Sequence, residues 1–230
     1  MIITRRWRNE YKYMIDAVQE GILRTRIEGI MNRDAHVNED GTYIIRSLYF
    51  DDYEDSCLSD NLSGADPRSK FRIRYYNSDT TYIQLEKKSK SHGLCIKTSC
   101  MLTEDECETI IDGYTLQINS EMTEEKRTLL SEIGTKDLRP TVIVTYERIP
   151  YVYDCGNVRI TIDRNITSSG ELERFLSGGY RERPVLGLGR SILEVKWDYI
   201  LPEFLRDIVS VEKLEHTAFS KYYMCRRFSF

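Results

Sequence analysis

The chain has 230 residues, of which 40% are hydrophobic, and a net charge of −4; this size and composition fit a globular protein with a substantial core. The acidic balance argues against a general nucleic-acid binder, and the sequence has neither a signal-peptide core nor an apolar run of the ~18 residues that a membrane span needs. The six cysteines include no CxxC pair, so we expect neither a disulfide framework nor a zinc site. We therefore expect a cytoplasmic protein in which any anion site is local.

The predicted elements place single helices between runs of strands. In the first part of the chain, the pattern predicts a strand near 8–13, a helix over 15–31 and strands near 43–51, 69–76, 81–89 and 93–101. It then predicts helices over 103–112 and 124–134 and strands near 141–149 and 157–163. The last part is predicted as a Gly- and Ser-rich loop over 164–190 with a short helix near 171–177, a strand near 191–197, a helix over 202–209 and a last helix from about 217. This order favours an α+β fold with an antiparallel sheet that could close on itself.

The segment KFRIRYY, residues 70–76, shows the pattern that carries the chemistry. Lys70, Arg72 and Arg74 alternate with apolar residues, and a strand points alternate residues to opposite faces. At least five other strands repeat this division into an apolar face and a charged, mostly basic face. The charged positions are Glu10 and Lys12, Glu86 and Lys88, Lys97, Arg159 and Asp163, and Glu194 and Lys196, with Tyr146 and Arg148 sharing a face.

Two architectures fit this repetition. An ordinary sheet could bury the apolar faces and leave the charges in water. A closed sheet with the basic faces inward would instead form a tunnel that attracts a polyanion. Arginines suit bidentate contact with phosphate, and lysines act as point charges. The carboxylates Glu10, Glu86 and Glu194 could relieve repulsion among the cations, or could help to hold a hard divalent cation beside phosphates.

Seven segments of the sequence resemble a known family. RSLYFDD (46–52), KFRIRYY (70–76), LEKKS (85–89), VTYERIPYV (144–152), VRITIDRNI (158–166), ILEVKWD (192–198) and FSKYY (219–223) occur in this order. Together they are similar to the VTC domain, the polyphosphate polymerase domain of the vacuolar transporter chaperone complex. That domain belongs to the triphosphate tunnel metalloenzymes, alongside the CYTH-type triphosphatases.

The resemblance implies one domain over residues 1–230: an antiparallel β-tunnel of about eight strands with helices packed outside and a C-terminal helix. It implies transfer of the terminal phosphate of ATP to a growing polyphosphate chain, with Mn²⁺ or Mg²⁺ as cofactor. The residues that match catalytic positions of the family are Arg72, Arg74, Lys88, Lys97, Arg148, Lys196 and Lys221. Lys12, Tyr146, Arg159 and Ser220 match substrate-binding positions, and Glu194 matches the metal-binding glutamate.

The first strand departs from the CYTH pattern E-x-E-x-K, because Arg8 replaces the first glutamate. This favours the polymerase branch and weakens Glu10 as a metal ligand. Two alternatives stay open: a tripolyphosphatase or nucleoside triphosphatase of the same fold, and a binding module for polyphosphate or inositol phosphates without catalysis. ATP and polyphosphate or triphosphate are the expected partners, and the family context adds a membrane-protein partner through which the protein could associate with a membrane.

Overall fold

The structure, a computed structural model, describes residues 8–92, 94–212 and 214–227. Within them lie eleven strands: β1 (Asn9–Asp16), β2 (Asn32–Arg33), β3 (Tyr43–Asp51), β4 (Arg68–Tyr76), β5 (Asp79–Ser91), β6 (Leu94–Leu102), β7 (Arg139–Tyr153), β8 (Val158–Ser169), β9 (Arg183–Pro184), β10 (Arg190–Trp197) and β11 (Glu215–His216). The helices are α1 (Ala17–Glu28), α2 (Ser56–Ser63), α3 (Glu104–Ile111), α4 (Glu124–Thr135), α5 (Glu203–Val209) and α6 (Lys221–Arg227). The eight long strands are the eight that the sequence predicts.

The strands form one curled antiparallel sheet. Its order is β11-β1-β10-β8-β7-β3-β4-β5-β6, with β2 beside β7 and β9 beside β8. The two sides of the curl approach each other where the Arg8 backbone N–H donates to the Cys95 carbonyl at 3.3 Å, an isolated bridge between the start of the chain's first strand and β6. The predicted α+β tunnel-like fold is confirmed, as a half-barrel whose sides meet at this bridge rather than along a continuous ladder.

Two apolar clusters cover the outside of the sheet. Phe71, Ile73 and Tyr75 of β4 pack with residues of α3 and α4, including Ile110 and Leu129. A second cluster joins β1, β7, β8 and β10 to α1 and α5. Each strand therefore buries its apolar face outward against helices, as the alternation predicts, and turns the other face into the curl.

Inside the curl, α6 and a third apolar cluster fill one part of the space. Tyr43, Ile45, Val144 and Ile192 from the inward strand faces pack with Tyr222 of α6. The Tyr222 hydroxyl donates to the Asp51 carboxylate. The remaining space is lined by polar and charged side chains. No helix among the described residues is long and apolar enough to cross a membrane.

One predicted helix needs correction, and one observed helix is absent from the predictions. The predicted helix near 171–177 is a 3₁₀ turn over Leu172–Arg174. Helix α2 was not predicted, because its first turn receives no cap from its own N-cap residue. The Asp51 carboxylate accepts hydrogen bonds from the backbone N–H groups of Cys57 and Leu58 instead, at 2.8 and 3.0 Å. This cap comes from the end of β3, so it is outside the local sequence pattern that marks most helix starts.

Candidate functional site

A cavity of about 260 Å³ lies inside the curl between β1, β4, β5, β7, β10 and the segment that leads into α6. Ten basic side chains and two carboxylates are among the residues that line it. Of the twelve site residues predicted from the sequence, the cavity brings together ten: Lys12, Arg72, Arg74, Lys88, Tyr146, Arg148, Glu194, Lys196, Ser220 and Lys221. An acidic protein thus gathers a concentration of positive charge in one enclosed place.

The other two predicted residues lie beside the cavity without lining it. Lys97 shares the inward face of the sheet, but its side chain is half exposed and its Nζ lies 2.9 Å from Glu86 Oε1. Arg159 is also half exposed, and the nearest carboxylate oxygen paired with it is Asp34 Oδ2, at 4.0 Å. Contact of these two residues with a substrate stays a prediction.

Glu194 is the centre of an inner cluster with four cations. Lys12 Nζ and Lys221 Nζ each lie 3.2 Å from its Oε1, and Lys196 Nζ and Arg148 Nη2 lie 2.6 and 3.3 Å from its Oε2. The side chain of Glu194 is only 5% exposed. Burial alone would raise the pKa of this carboxyl, but the surrounding cations outweigh burial and hold the pKa well below its ordinary value. Glu194 is therefore ionised throughout the physiological range.

Asp163 supports this cluster from behind. It is fully buried on β8, and Arg148 grips it with two hydrogen bonds, of 2.6 and 2.7 Å. Lys221 Nζ lies 2.5 Å from Asp163 Oδ2. Such paired contacts fix the orientation of a guanidinium and an ammonium before any ligand binds. The alternation in VRITID places Asp163 on the charged face, but no local pattern indicates that it holds two predicted site residues.

Glu10 links the inner cluster to the next lysines. Lys196 Nζ lies 3.3 Å from its Oε1, and Lys88 Nζ and Lys12 Nζ lie 3.2 and 3.8 Å from its Oε2. Burial would raise the pKa of Glu10, but Lys196, Lys12 and Lys88 together lower it far below the ordinary range. Lys12 and Lys196 thus each contact both Glu10 and Glu194.

The paired arginines of β4 are held by a separate set of partners. Arg72 donates to Glu86 Oε2 at 2.7 Å and to the Tyr49 hydroxyl at 3.0 Å. Arg74 donates to Ser47 Oγ at 3.2 Å and to the Tyr146 hydroxyl at 3.1 Å. Both hydrogen bonds of Arg74 go to neutral hydroxyls, and its Nη1 lies 4.0 Å from Glu86 Oε2, so Glu86 neutralises its charge less than that of Arg72, whose Nη2 lies 2.6 Å from the same oxygen.

The segment before α6 covers the cavity from one side. Lys12 Nζ donates to the Phe219 carbonyl at 3.3 Å, and the Thr217 N–H donates to the Lys12 carbonyl at 2.9 Å. Ser220 Oγ accepts from the Tyr223 N–H at 3.2 Å and from Lys70 Nζ at 2.9 Å. These contacts tie the predicted Ser220–Lys221 pair to β1 and β4, far away in the sequence.

The oxygen donors present suit a hard divalent cation bound jointly by the protein and phosphates. In the described part of the chain, no group of three or more His, Cys, Asp or Glu side chains could enclose a metal. Glu194 and Glu10 supply carboxylate oxygens at the cavity, and the buried Thr161 hydroxyl opposite Glu194 in the β8–β10 pairing has no hydrogen-bond partner there. Mg²⁺ and similar ions commonly use one or two carboxylates, substrate phosphates and several waters, and a metal-bound water could satisfy Thr161.

Comparison with known proteins identifies relatives of the fold. A family model, the VTC domain, matches residues 7–230. A protein from Hippeastrum, described as an adenylyl cyclase candidate with dominant triphosphatase activity, superimposes with a TM-score of 0.54 at 14% identity, over 98% of this chain and 97% of that one. An adenylate cyclase candidate from Bacillus halodurans gives a TM-score of 0.48 at 15% identity, over 87% and 86% of the two chains. No curated protein matches the sequence.

Proposed function

The chain belongs to the VTC domain family, within the triphosphate tunnel metalloenzymes, and on this premise we propose that it is a polyphosphate polymerase that uses ATP. In the proposed reaction, an oxygen of the terminal phosphate of a polyphosphate chain attacks the γ-phosphorus of ATP. The bond between that phosphorus and the β–γ bridging oxygen breaks, ADP leaves, and the chain is one phosphate longer.

The excess of cations over carboxylates in the cavity supports this proposal most directly. Ten basic side chains face two lining carboxylates, and when Glu86 and Asp163, which pair with Arg72 and Arg148, are added, the cations still outnumber the carboxylates by ten to four. Beyond the cluster around Glu194, the lining continues through Arg68, Lys70 and Lys90, none of which is ion-paired with a carboxylate among the described residues. One triphosphate would neutralise only part of this charge, so the cavity suits two phosphate chains, a donor and an acceptor, held together.

Phosphoryl transfer depends mainly on positioning and on charge neutralisation, and the chain's own residues provide both. Arg74 and Arg72 would hold the triphosphate in a fixed orientation, since their partners fix the planes of both guanidiniums. Lys196, Lys12 and Lys221 would neutralise charge that builds up on the transferred group. The ion pairs with Glu194 and Asp163 keep these cations in place before the substrate arrives.

The family implies a divalent metal, and the site residues fit one. Glu194, with Glu10 beside it, would hold Mn²⁺ or Mg²⁺. When bound, the ion would neutralise charge on the phosphates and help to align them.

The state of the carboxylates favours transfer to phosphate over hydrolysis. A water nucleophile gains from a general base whose pKa lies near the working pH. The pKa values of Glu10, Glu86 and Glu194 are all held far below that range by neighbouring cations, after burial has been overcome. An anionic phosphate acceptor needs no deprotonation. The described carboxylates of the cavity therefore suit the polymerase better than the triphosphatase, which is the second candidate.

Product analysis separates the candidate functions. The pure protein is incubated with ATP and Mn²⁺, with and without a short polyphosphate primer, and the products are resolved by chain length. Chains longer than three phosphates support the polymerase, and release of orthophosphate without chains would overturn it in favour of a hydrolase. Tight binding of polyphosphate without turnover would indicate a binding module. A cytoplasmic location, a membrane-protein partner and the extent of the domain over residues 1–230 stay predictions.

A further inference from the structure

Lys70 lines the cavity but faces no carboxylate. Its Nζ donates to Ser220 Oγ at 2.9 Å and lies 5.9 Å from the centre of the Tyr222 ring. Among the described residues it takes part in no ion pair, whereas Lys12 and Lys88 each lie 3.2 Å from a carboxylate oxygen. Among the described residues, Lys70 therefore has a hydrogen-bonding partner and an aromatic neighbour but lacks a counter-charge.

The charged groups around Lys70 are cations. Lys88 lies directly opposite it in the pairing of β4 with β5, Lys12 approaches from β1, and Arg68 lies two residues earlier on its own strand. Burial raises the pKa of the Cys57 thiol of α2 to about 12, so this neighbour is neutral and supplies no counter-charge. Burial, followed by the charges of Lys12, Lys88 and Arg68, holds the pKa of Lys70 well below its ordinary value of 10.5.

We propose that Lys70 is a further binding residue for the phosphate chain and that it takes up a proton when this polyanion enters the cavity. The inference rests on the proposed function, because it requires a phosphate chain as the ligand. A phosphate oxygen near Nζ supplies the counter-charge that the protein does not. The amine lone pair accepts the proton from solvent, and the resulting ammonium donates both to Ser220 Oγ and to phosphate.

This coupling gives a defined pH dependence. At a pH below the pKa of Lys70 in the free protein, the ammonium is present before and after binding, and no proton is taken up. At a pH above its pKa in the complex, the amine is neutral in both states. Between these two values, binding takes up a proton, and the affinity falls as the pH rises.

Calorimetry can count this proton. Tripolyphosphate is titrated into the protein with EDTA present, so that neither metal binding nor turnover contributes, in pairs of buffers with different ionisation enthalpies over about pH 7 to 10. The wild type should take up more protons per ligand than Lys70→Met, with a difference approaching one proton inside the window. Protonation of tripolyphosphate itself is common to both proteins and cancels. Where Lys70 is charged in the complex, Lys70→Met should bind about tenfold more weakly.

Two further variants test the reasoning. Lys70→Arg carries a permanent charge, so it should bind at least as tightly as the wild type while taking up as few protons as Lys70→Met. A role of Lys70 in packing alone would not produce that combination. Lys136→Met, which removes an exposed lysine outside the sheet near Phe71, should match the wild type in both measurements. Thermal unfolding confirms that each variant is folded.

Equal proton uptake by the wild type and Lys70→Met would overturn the inference while leaving the proposed function intact. A wild-type protein that does not bind tripolyphosphate at all would overturn both.

Discussion

Replacing Glu194 with glutamine tests the inner cluster most severely, because the change removes one charge and keeps the shape. Four cationic nitrogens lie within 3.3 Å of its oxygens. At an effective dielectric constant of about 20, each contact contributes roughly 5 kcal/mol of Coulomb attraction. The desolvation of both partners offsets most of this, and breaking a buried ion pair typically costs about 3–5 kcal/mol. For a domain of this size, a loss of about 4 kcal/mol lowers Tm by roughly 8–16 °C.

The same variant should bind phosphate chains more tightly when no metal is present. Glutamine leaves Lys12 and Lys196 with Glu10 alone and leaves Lys221 and Arg148 with Asp163 alone, and a polyanion can supply the missing negative charge. We expect metal-free tripolyphosphate to bind about tenfold more tightly than to the wild type. Turnover of ATP with Mn²⁺ should be lost, because the metal loses its principal carboxylate. Lower stability, tighter binding and no turnover form a combination that general misfolding would not produce.

Three measurements on Glu194→Gln test these expectations: thermal unfolding with and without tripolyphosphate, calorimetric affinity for tripolyphosphate in EDTA, and turnover of ATP with Mn²⁺. Glu132→Gln is the matched control, since Glu132 pairs with Lys87 on the outer side of the sheet, where both side chains are partly exposed, and surface pairs contribute about 0–1 kcal/mol. A Tm of Glu194→Gln within about 2 °C of the wild type would refute the stability argument. Retained metal-dependent turnover would refute the assignment of Glu194 as the metal ligand.

Three further predictions address other parts of the site. Arg74→Lys should lower kcat/KM for ATP at least about tenfold, because lysine cannot reproduce the bidentate contact of a guanidinium with phosphate. Arg139→Lys, at an exposed arginine, is the control. Equal losses of kcat/KM in the two variants would contradict the role of Arg74. Burial alone would raise the pKa of Glu86, but its arginine neighbours lower the pKa by more, so it lies below the ordinary value of 4.5 in the folded protein. The charge of Glu86 therefore stabilises the fold at pH values above 4.5. This contribution is lost as the pH falls through the folded-state pKa. Denaturant titrations should therefore show a shallower loss of stability in acid for Glu86→Gln, and parallel acid limbs would contradict this. Tyr222→Phe should cost about 1.5–3 kcal/mol and lower Tm, because it removes a hydrogen bond to the buried Asp51 carboxylate; an unchanged Tm would show that this bond contributes nothing.

The period-two alternation was enough to predict all eight long strands and the inward side of β4, because side-chain direction in a strand depends on local geometry alone. It could not predict how far along the tunnel each side chain lies, since that depends on register. Lys97 has the right face, but β6 is the last strand of the sheet, and Lys97 lies opposite Lys88 there. Arg159 has the right face as well, near the start of β8, where its side chain remains half exposed.

Contacts between distant segments cannot be predicted from local sequence patterns, for a different reason. Lys221 contacts Asp163 and Glu194, which precede it by 58 and 27 positions in the sequence, and no local pattern encodes such contacts. Helix α2 depends in the same way on Asp51, a residue of the preceding strand. The motif order indicated the family, and through the family the position of Lys221, whereas Asp163 and Lys70 became visible as site residues only once the strands were in register.

The arrangement of carboxylates explains how a protein can keep so many cations in one cavity without a ligand. Unpaired, the lysines and arginines would repel one another at low dielectric, and burial would favour loss of the lysine protons. For Lys12, Arg72, Arg148 and Lys221, the contacts with Glu86, Asp163 and Glu194 outweigh burial and raise the pKa, so these cations keep their charge in a fixed geometry. Lys88 contacts Glu10, but burial and the neighbouring lysines still lower its pKa. Lys70 lies outside the reach of these carboxylates. The cavity therefore combines cations whose charge carboxylates stabilise with Lys70, which no carboxylate among the described residues contacts, and under our proposal this difference makes binding of a phosphate chain sensitive to pH at Lys70.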